Sequence, residues 1–477
     1  MVIHMIYLDH SSKIPLYMQI YEQIREEILN DNLEEGHVLS GSRGLAKTMQ
    51  ISRNTVNNAY AQLEAEGYIY SKKGIGSIVV KVPRLKGNNG DNAINIDAKK
   101  PLNHTIASSS TVKYDLTNSS HTSDLFPQNL WKKYTVECME QLHRESKISE
   151  FQEKQGELYL RQNLLTYLKR IRGVRCEVGQ IIITCGLQQS LEYLCNLLVS
   201  QERKVLMEEP GYHKALHIFR NNGFQISKVS VDQNGLNVSE LPDDESICAV
   251  YTTPSHQFPT GVTLPINRRY ELLEWADRHD VYLLEDDFDS EQRYYAKPIP
   301  SLQSIDLHER VIYLGTFSKA LSPSIRMGYM ILPPRLIELY LKKYEDYNAN
   351  VPVLNQYVIG KMMETGQYDR HIRRLNQVFK KRLEAFQQAF LEISSQIKLI
   401  SNGTGQYFLL EFKEGCNQNE LIKRAFDQGV RVYSTMQFWQ DKAECPPNTI
   451  FLGLSRIKIE EIPDCVSRLK TAWGEWL

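Results

Sequence analysis

The chain has 477 residues, too many for one ordinary hydrophobic core, which predicts two or more domains. Hydrophobic residues make up 42% and charged residues 24% of the chain, a globular balance that excludes a disordered or fibrous protein. The formal net charge of −1 excludes a global attraction to nucleic acid, so any DNA-binding surface must be local.

The cysteines and the apolar segments narrow the protein class further. The eight cysteines are scattered without a Cys-x-x-Cys spacing, and no histidine cluster has metal-ligand spacing. This pattern is typical of reduced thiols and predicts no metal site. The first residues lack a basic segment followed by an apolar run, and no apolar stretch is long enough to span a bilayer. We therefore expect a soluble cytoplasmic protein without a membrane partner.

The residues 14–82 are predicted to form an N-terminal module. Apolar residues follow Pro15 at four-residue steps, which predicts a first helix. A short second helix is predicted at Arg43–Met49, and Ser52 is suited to cap a third helix. Two strand-like runs around Lys72-Lys-Gly-Ile-Gly76 predict a hairpin. Three helices and a hairpin make a winged helix-turn-helix, whose third helix enters the major groove of DNA.

The outward face of the third helix and the hairpin carry the residues that we predict to contact DNA. Their side chains are types that bind phosphates and base edges. Over residues 41–82, six basic residues stand against two acidic ones, so this half of the module is locally basic. The predicted DNA contacts are Arg43, Ser52, Arg53, Asn54, Thr55, Asn57, Lys72, Lys73 and Gly74. A generic three-helix accessory domain with a solvated polar face explains the same composition about equally well.

A change of composition separates this module from the rest of the chain. Residues 83–112 are rich in Lys, Gly, Asn, Asp and Ser and lack apolar periodicity, which predicts a flexible linker. Over residues 113–477, strand-like and helix-like segments alternate. This alternation predicts an α/β domain with a mostly parallel sheet, and such sheets bind ligands at the carboxyl ends of their strands.

The most informative stretch of this second region is Gly315-Thr-Phe-Ser-Lys319, which follows a buried strand and precedes Arg326 by seven residues. A desolvated lysine can form a Schiff base with an aldehyde. Thr316, Ser318 and Arg326 carry hydroxyl and guanidinium groups of the kind that bind phosphate. A covalent lysine beside a phosphate anchor suits pyridoxal phosphate. Taken alone, the lysine is more ordinarily a solvated surface residue.

Other strand ends supply partners for such a cofactor. Gly186 opens a helix at Leu187, and the free backbone N–H groups at a helix start bind anions. Tyr212 follows a turn and could stack on a flat ring, although ordinary packing also explains a lone tyrosine. Asp286 ends an apolar strand, where a buried carboxylate can hold a pyridine nitrogen protonated. We expect the acids that follow it to lie in a solvated loop: Asp287, Asp289 and Glu291.

Motifs in both regions resemble known families. Ser52-Arg-Asn-Thr-Val and Gln62-Leu-Glu-Ala-Glu-Gly-Tyr-Ile resemble the DNA-binding domain of GntR-family bacterial regulators, although the usual proline before the second helix is missing from Leu39-Ser-Gly-Ser-Arg43. Glu209-Pro-Gly-Tyr and Gly315-Thr-Phe-Ser-Lys resemble fold-type I aminotransferases. The combination resembles MocR-type regulators over essentially the whole chain.

This resemblance implies a role for each site residue. Lys319 would carry pyridoxal phosphate as a Schiff base, Asp286 would pair with the ring nitrogen, and Tyr212 would stack on the ring. The residues implied around the phosphate are Gly186, Leu187, Thr316, Ser318 and Arg326. The resemblance also implies a homodimer that binds a double-stranded DNA operator. Its implied function is a transcriptional regulator that senses an amine or amino acid through Schiff-base exchange at Lys319.

Two residues depart from the pattern of these families. Related regulators usually have tyrosine where this chain has Phe288, and ordinary aminotransferases have asparagine where it has Phe258. Both of those polar groups bond the phenolate oxygen of the cofactor. Unless His256 or Gln257 substitutes for them, the oxygen loses its polar partners, which argues against full transaminase chemistry.

Three points stay open at the level of sequence. The carboxylate of an amino acid effector could meet any of three cations, Lys214, Arg431 or Arg456. An authentic aminotransferase with an accessory N-terminal domain is the alternative function. The third hypothesis is a regulator that uses the second domain only as a cofactor-free dimerisation platform. It is the weaker one, because the lysine and the phosphate-binding side chains are intact.

Overall fold

The computed structural model describes residues 6–82, 112–117, 125–150, 152–198, 203–295, 299–393 and 397–476. The chain divides into two compact units, Met1–Ile106 and Ala107–Leu477. The predicted linker over residues 83–112 lies outside the described residues except for its last position. The linker and the predicted domain limits therefore stay predictions.

The first unit contains three helices and a two-stranded hairpin. The helices are α1 (Leu16–Leu29), α2 (Ser42–Thr48) and α3 (Arg53–Ala65), and the antiparallel strands are β1 (Ile69–Lys72) and β2 (Gly76–Val79). Ser52 caps α3, because its Oγ accepts a hydrogen bond from the backbone N–H of Thr55 at 3.1 Å. Val38 adds an antiparallel bridge to Ile78 beside the hairpin. This arrangement is a winged helix-turn-helix.

The core of this unit explains why its polar face is left outside. Ile20, Ile24 and Ile28 of α1 are buried against Val56 and Leu63 of α3. These positions recur at helical spacing, so each helix buries one face only. Each fully buried aliphatic side chain stabilises the fold by about 1.5–3 kcal/mol.

The second unit alternates strands and helices. Its helices are α4 (Gln128–Arg144), α5 (Leu158–Arg172), α6 (Leu187–Leu197), α7 (His213–Asn221), α8 (Ile266–Arg278), α9 (Pro334–Lys343), α10 (Val353–Glu364), α11 (Gln367–Leu391), α12 (Gln418–Asp427) and α13 (Ile462–Trp473). Its strands are β3 (Tyr114–Asp115), β4 (Ile181–Thr184), β5 (Lys204–Glu209), β6 (Gln225–Asp232), β7 (Gly235–Leu236), β8 (Ile247–Thr252), β9 (Tyr282–Asp286), β10 (Val311–Thr316), β11 (Gly328–Ile331), β12 (Lys398–Ile400), β13 (Tyr407–Glu411), β14 (Val430–Arg431), β15 (Tyr433–Ser434) and β16 (Thr449–Gly453).

The central sheet has eight strands in the order β4-β11-β10-β9-β8-β5-β6-β7. The pairs from β10 to β6 are parallel, whereas β11 runs antiparallel to both of its neighbours. Side chains of β4 and β9 are buried on both faces, as helix-covered parallel strands require. The prediction of an α/β fold with a mostly parallel sheet is confirmed.

A smaller antiparallel sheet lies in the C-terminal part of the unit, with the order β12-β13-β16-β15. Its side chains alternate between two environments, as the pleat of a strand dictates. Phe408 and Leu452 pack into a core with α11 and α13. Tyr407 and Phe451 face the other way and pack against Phe258 of the large sheet's loops.

No helix in the described part of the chain is long and apolar enough to cross a membrane. All eight cysteines are free thiols, and most of them are buried.

Candidate functional site

Asp286 and Lys319 lie at the same edge of the large sheet. Asp286 ends β9, and Leu314 of the parallel neighbour β10 is its register partner, so the loop after β10 leaves the sheet beside it. The Asp286 side chain is 4% exposed and accepts a hydrogen bond from the hydroxyl of Tyr251 on β8. Burial raises the pKa of Asp286 to about 7, although the bond from Tyr251 opposes the shift. A cationic ring nitrogen at this carboxylate would restore its charge.

The loop that carries Lys319 is held from two sides. The backbone carbonyl of Lys319 accepts hydrogen bonds from the side-chain amides of Gln292 at 3.0 Å and Gln406 at 2.9 Å. Burial lowers the pKa of Lys319 to about 8, Asp289 opposes this shift, and the charge of Lys214 adds to it. A substantial neutral fraction near pH 8 makes the amine a competent nucleophile.

A cradle for an anion forms where α6 begins at Leu187. Gly186 precedes the helix with φ of +95°, a left-handed conformation that favours glycine. The guanidinium of Arg326 lies directly beside it, donating to the carbonyl of Cys185 at 2.9 Å. A Cβ added at Gly186 would stand 3.4 Å from Nη2 of Arg326, in the space between the helix start and the cation. The free N–H groups and the guanidinium suit a phosphate.

The two predicted hydroxyl residues, Thr316 and Ser318, lie at the end of β10 and in the loop that follows it. Thr316 is the last residue of that strand, and its Oγ1 accepts a hydrogen bond from the N–H of Ser318 at 3.2 Å. Gly328 of β11 allows the close approach, because a Cβ there would stand 2.9 Å from Cα of Gly186. The loop and the helix start are therefore packed into one site.

Tyr212 stands on the facing loop, at the start of α7. Burial raises its pKa, and the nearby Asp286 carboxylate raises it further while Arg326 lowers it. The Tyr212 side chain packs against the hydrophobic cluster that contains Phe258 and Tyr407. Its ring meets Phe258 edge-on at 5.8 Å between centroids. The structure thus brings the predicted ring-stacking residue into the site.

The prediction of a solvated loop for the acids after β9 was wrong for Asp287 and Asp289. Asp287 is buried and bonded by Arg172, with Nε at 2.8 Å and Nη2 at 2.9 Å from its two oxygens. Asp289 is buried and bonded by Nδ1 of His256 at 2.9 Å. Glu291 is only partly exposed and accepts a bond from Tyr368 at 3.2 Å. Their partners are distant in the chain, so the run of acids alone cannot reveal them.

Most of the predicted DNA contacts are exposed residues of the first unit. Arg53 at the start of α3 donates from Nε to Oγ of Ser42, the first residue of α2, at 3.4 Å. This contact links the starts of both helices, and the Arg53 side chain is exposed. The other exposed members of the predicted set are Arg43, Ser52, Asn54, Asn57, Lys72, Lys73 and Gly74, whereas Thr55 is half-buried under the Ser52 cap.

Two family models match the chain. The model described as "Bacterial regulatory proteins, gntR family" matches residues 16–79, and "Aminotransferase class I and II" matches residues 123–441. An uncharacterized HTH-type transcriptional regulator of Bacillus subtilis, YhdI, is 33% identical over 98% of both chains. The probable rhizopine catabolism regulatory protein MocR of Rhizobium meliloti is 27% identical over 98% of this chain and 96% of its own. The chain belongs to the MocR-type regulators.

Solved structures agree with this assignment for the second unit. The kynurenine aminotransferase of Pyrococcus horikoshii, solved with PMP, superposes with a TM-score of 0.69 at 27% identity. The match covers 77% of this chain and 92% of the aminotransferase. The predicted family and fold are confirmed, and the class I and II domain supports pyridoxal phosphate as the cofactor.

The geometry of this MocR-type regulator fits that cofactor. Lys319 offers the amine, Asp286 offers a buried carboxylate for the ring nitrogen, and the space beside Gly186 and Arg326 matches a phosphate. The side of the site that faces the ring oxygen differs from the family pattern. Its two phenylalanines, Phe258 and Phe288, lie 5.9 Å apart between ring centroids and present no polar group.

The two residues that could substitute for those polar groups, Gln257 and His256, already use side-chain atoms to bond neighbouring protein groups. Gln257 donates from Nε2 to Glu208 at 3.1 Å and to the carbonyl of Pro210 at 2.8 Å, and its oxygen accepts from Thr260. His256 commits Nδ1 to the buried aspartate after β9. Both side chains therefore serve the loop's own structure.

The three cations suggested for an effector carboxylate have different surroundings in the structure. Arg431 and Arg456 both point to Asp115, at 3.8 Å and 3.3 Å, and so serve an ion cluster beside β3. Lys214 is exposed at the start of α7, and its charge reaches Lys319. Of the three, Lys214 is the one electrostatically coupled to the site.

Proposed function

We propose that this MocR-type regulator binds a DNA operator with its winged helix and senses an amine or amino acid with pyridoxal phosphate bound at Lys319. The observation that carries the proposal is the convergence of Lys319, Asp286 and the Arg326 cradle at one sheet edge. The winged helix supplies the second half of the function, because Arg53 and its neighbours form an exposed polar face.

Each residue contributes a definable step. Pyridoxal phosphate, when bound, would supply an aldehyde carbon. One amine can replace another at this carbon. The Lys319 amine is neutral in a large fraction of molecules near pH 8. Another amine can displace it from the aldehyde carbon, and the neutral lysine can later compete to bind that carbon again. Asp286 would hold a proton at the ring nitrogen, and Arg326 with the start of α6 would hold the phosphate in place.

Sensing further requires that the effector distinguish two states of the protein. An amine that replaces Lys319 frees the lysine side chain, and any difference in effector affinity between two domain arrangements shifts their populations. We propose a homodimer in which this shift changes the spacing of two winged helices on repeated half-sites. The cytoplasmic location stays a prediction.

An authentic aminotransferase is the second candidate. The intact geometry of Lys319, Asp286 and Arg326 favours it, and an aromatic-amino-acid aminotransferase of Thermococcus litoralis is 26% identical over 72% of this chain. Phe258 and Phe288 count against it, because they remove polar groups beside the reacting ring. Steady production of keto acid from an amino donor would establish the enzyme.

The decisive experiment records the visible spectrum of the purified full-length protein with pyridoxal phosphate, before and after addition of individual amines and amino acids. DNA binding is then measured under the same conditions. We expect a yellow protein whose spectrum and DNA affinity both change with one class of amine. Steady turnover with unchanged DNA binding would favour the enzyme, and a colourless protein would overturn cofactor binding.

A lysine substitution tests the cofactor half of the proposal. Lys319→Ala should abolish the visible band of the covalent adduct and leave operator binding without effector intact. Lys342→Ala, which removes an exposed lysine on α9, is the matched control and should keep the colour. An unchanged band in Lys319→Ala would refute the site assignment.

An arginine substitution tests the DNA half. Arg53→Ala should weaken operator binding by about 1–3 kcal/mol if it reads a base edge, and it should leave the spectrum unchanged. Lys13→Ala removes the same charge from an exposed position before α1 and serves as control. Equal affinities of both variants and the wild type would contradict the docking of α3.

A further inference from the structure

The segment before β13 is anchored on the cofactor site. The N–H of Gly405 donates to the carbonyl of Gln292 at 2.9 Å, and the side chain of Gln406 donates to the carbonyl of Lys319 at 2.9 Å. A Cβ on Gly405 would stand 2.7 Å from Oδ2 of Asp289, so only glycine permits this close contact. Tyr407 follows directly and is therefore positioned by the loop that carries the covalent lysine.

The Tyr407 ring fills the space next to both departures from the family pattern. Its centroid is 5.3 Å from that of Phe258. It stacks on His256 at 5.4 Å, and the same imidazole is stacked at 5.9 Å from Phe288. Phe451 closes the far side at 4.9 Å. The tyrosine thus belongs to the wall that the resemblance places beside the ring oxygen of the cofactor.

The hydroxyl of Tyr407 has no hydrogen-bond partner in the described structure, although the side chain is only 4% exposed. Burial and the charges of Asp289 and Glu208 raise its pKa, so it stays protonated and remains a donor. An unsatisfied buried hydroxyl destabilises a protein, and a hydrogen bond to a ligand oxygen would recover that loss.

Thr253, Gln257 and Nδ1 of His256, which are polar groups of the neighbouring loop, are already hydrogen-bonded within the protein. The hydroxyl of Thr253 donates to Glu208 at 2.7 Å, and Gln257 bonds the same carboxylate. His256 gives Nδ1 to Asp289 at 2.9 Å. Tyr407 is the group on this wall whose buried hydrogen-bonding atom still lacks a partner among the described residues.

We propose that Tyr407 donates a hydrogen bond to the phenolate oxygen of bound pyridoxal phosphate, in place of the polar groups lost at Phe258 and Phe288. The inference rests on the proposed function, because it requires the cofactor at Lys319. It assigns to a strand of the small sheet a contact that the families otherwise take from loops of the large sheet.

The test compares Tyr407→Phe with Tyr433→Phe in the full-length protein. Tyr433 is a second tyrosine near this wall, but its hydroxyl bonds Asp115 at 2.5 Å. Affinity for pyridoxal phosphate is measured by absorbance titration, and the thermal stability of the cofactor-free protein is measured separately. The pH midpoint of the visible spectral change is a third readout.

Tyr407→Phe should weaken cofactor affinity roughly tenfold, as expected for the loss of one hydrogen bond to a charged oxygen. It should also shift the spectral midpoint to higher pH, because the phenolate loses its donor. Its cofactor-free stability should be unchanged or raised, since an unsatisfied buried hydroxyl is removed. Tyr433→Phe should show the opposite pattern, with lower stability and unchanged cofactor affinity.

The outcomes separate this inference from the function on which it rests. A yellow Tyr407→Phe variant with wild-type affinity and midpoint would overturn the role of Tyr407 and leave the cofactor proposal standing. A wild-type protein that never acquires colour would overturn both. Lower cofactor-free stability of Tyr407→Phe would also count against the inference, since it would show that the hydroxyl already has a protein partner.

Discussion

The phosphate side of the site and its ring-oxygen side are built in opposite ways. The phosphate side consists of Gly186 and of Thr316, Ser318 and Arg326, and the last three fall within residues 316–326 of the chain. The ring-oxygen side brings Tyr407 from the small sheet into contact with Phe258 and with His256, which in turn stacks on Phe288. Site residues that lie close together in the chain can be recognised from their motif. Where distant segments build a site, a polar donor on one segment can replace a donor lost from another.

The largest effect should come from breaking the phosphate side. Arg326→Ala removes the cation beside Gly186, and we expect cofactor affinity to fall roughly a hundredfold, since charge-assisted bonds to phosphate are the strong ones. Absorbance titration measures it. Arg335→Ala, which removes an exposed arginine of α9, should leave the affinity unchanged. Equal affinities would show that the helix start alone holds the phosphate.

Asp286 lies between the two sides, and its substitution should affect stability and binding in opposite directions. Its pKa in the cofactor-free protein, about 7, lies above the ordinary 3.8. The folded protein therefore holds a proton that the unfolded chain releases, and stability is lost as pH rises from about 4 to about 7. Asp286→Asn should raise the cofactor-free Tm at pH 8 and weaken cofactor affinity about tenfold.

The pH profile of Tm provides the control for that substitution. At pH 4, where the wild-type carboxyl is protonated, wild type and Asp286→Asn should have similar Tm values, and they should diverge toward pH 8. A constant difference at all pH values would mean that the substitution changes packing and not the proton.

A kinetic effect should follow from Lys319. Because burial lowers its pKa to about 8, the neutral amine increases with pH up to that value and then levels off. The rate of colour development after mixing with pyridoxal phosphate should rise up to about tenfold per pH unit below pH 8. Stopped-flow absorbance measures it. A rate that keeps rising toward pH 10 would indicate an unshifted lysine.

The smallest effect should come from adding a donor to the ring-oxygen side. Phe288→Tyr restores the hydroxyl usual in related regulators, and we expect cofactor affinity to rise only two- to threefold, roughly, because Tyr407 already supplies a bond. In a Tyr407→Phe background the same change should rescue most of the lost affinity. A double-mutant cycle measures this coupling, and purely additive effects would show that the two positions serve different atoms.

Several elements were predictable because their signals are local. The helices of the first unit follow from apolar spacing, and the cap at Ser52 follows from its position before a periodic run. The buried strand before Lys319 follows from its apolar run, although β10 continues through Gly315 to Thr316 and does not break at the glycine. The acids after β9 were misjudged, because Arg172 and His256 reach them from segments that the run of carboxylates does not include.

The sequence by itself determined the two-part organisation, the alternating α/β fold, and the lysine, aspartate and arginine that suit pyridoxal phosphate. Each of these depends on periodicity or on neighbours within a few residues. Only the tertiary structure decided which acids are buried, that Arg431 and Arg456 serve Asp115, and that Tyr407 stands beside Phe258. Burial and pairing depend on which distant segments pack together, so a residue's charge, partner and exposure are properties of the fold and not of its local sequence.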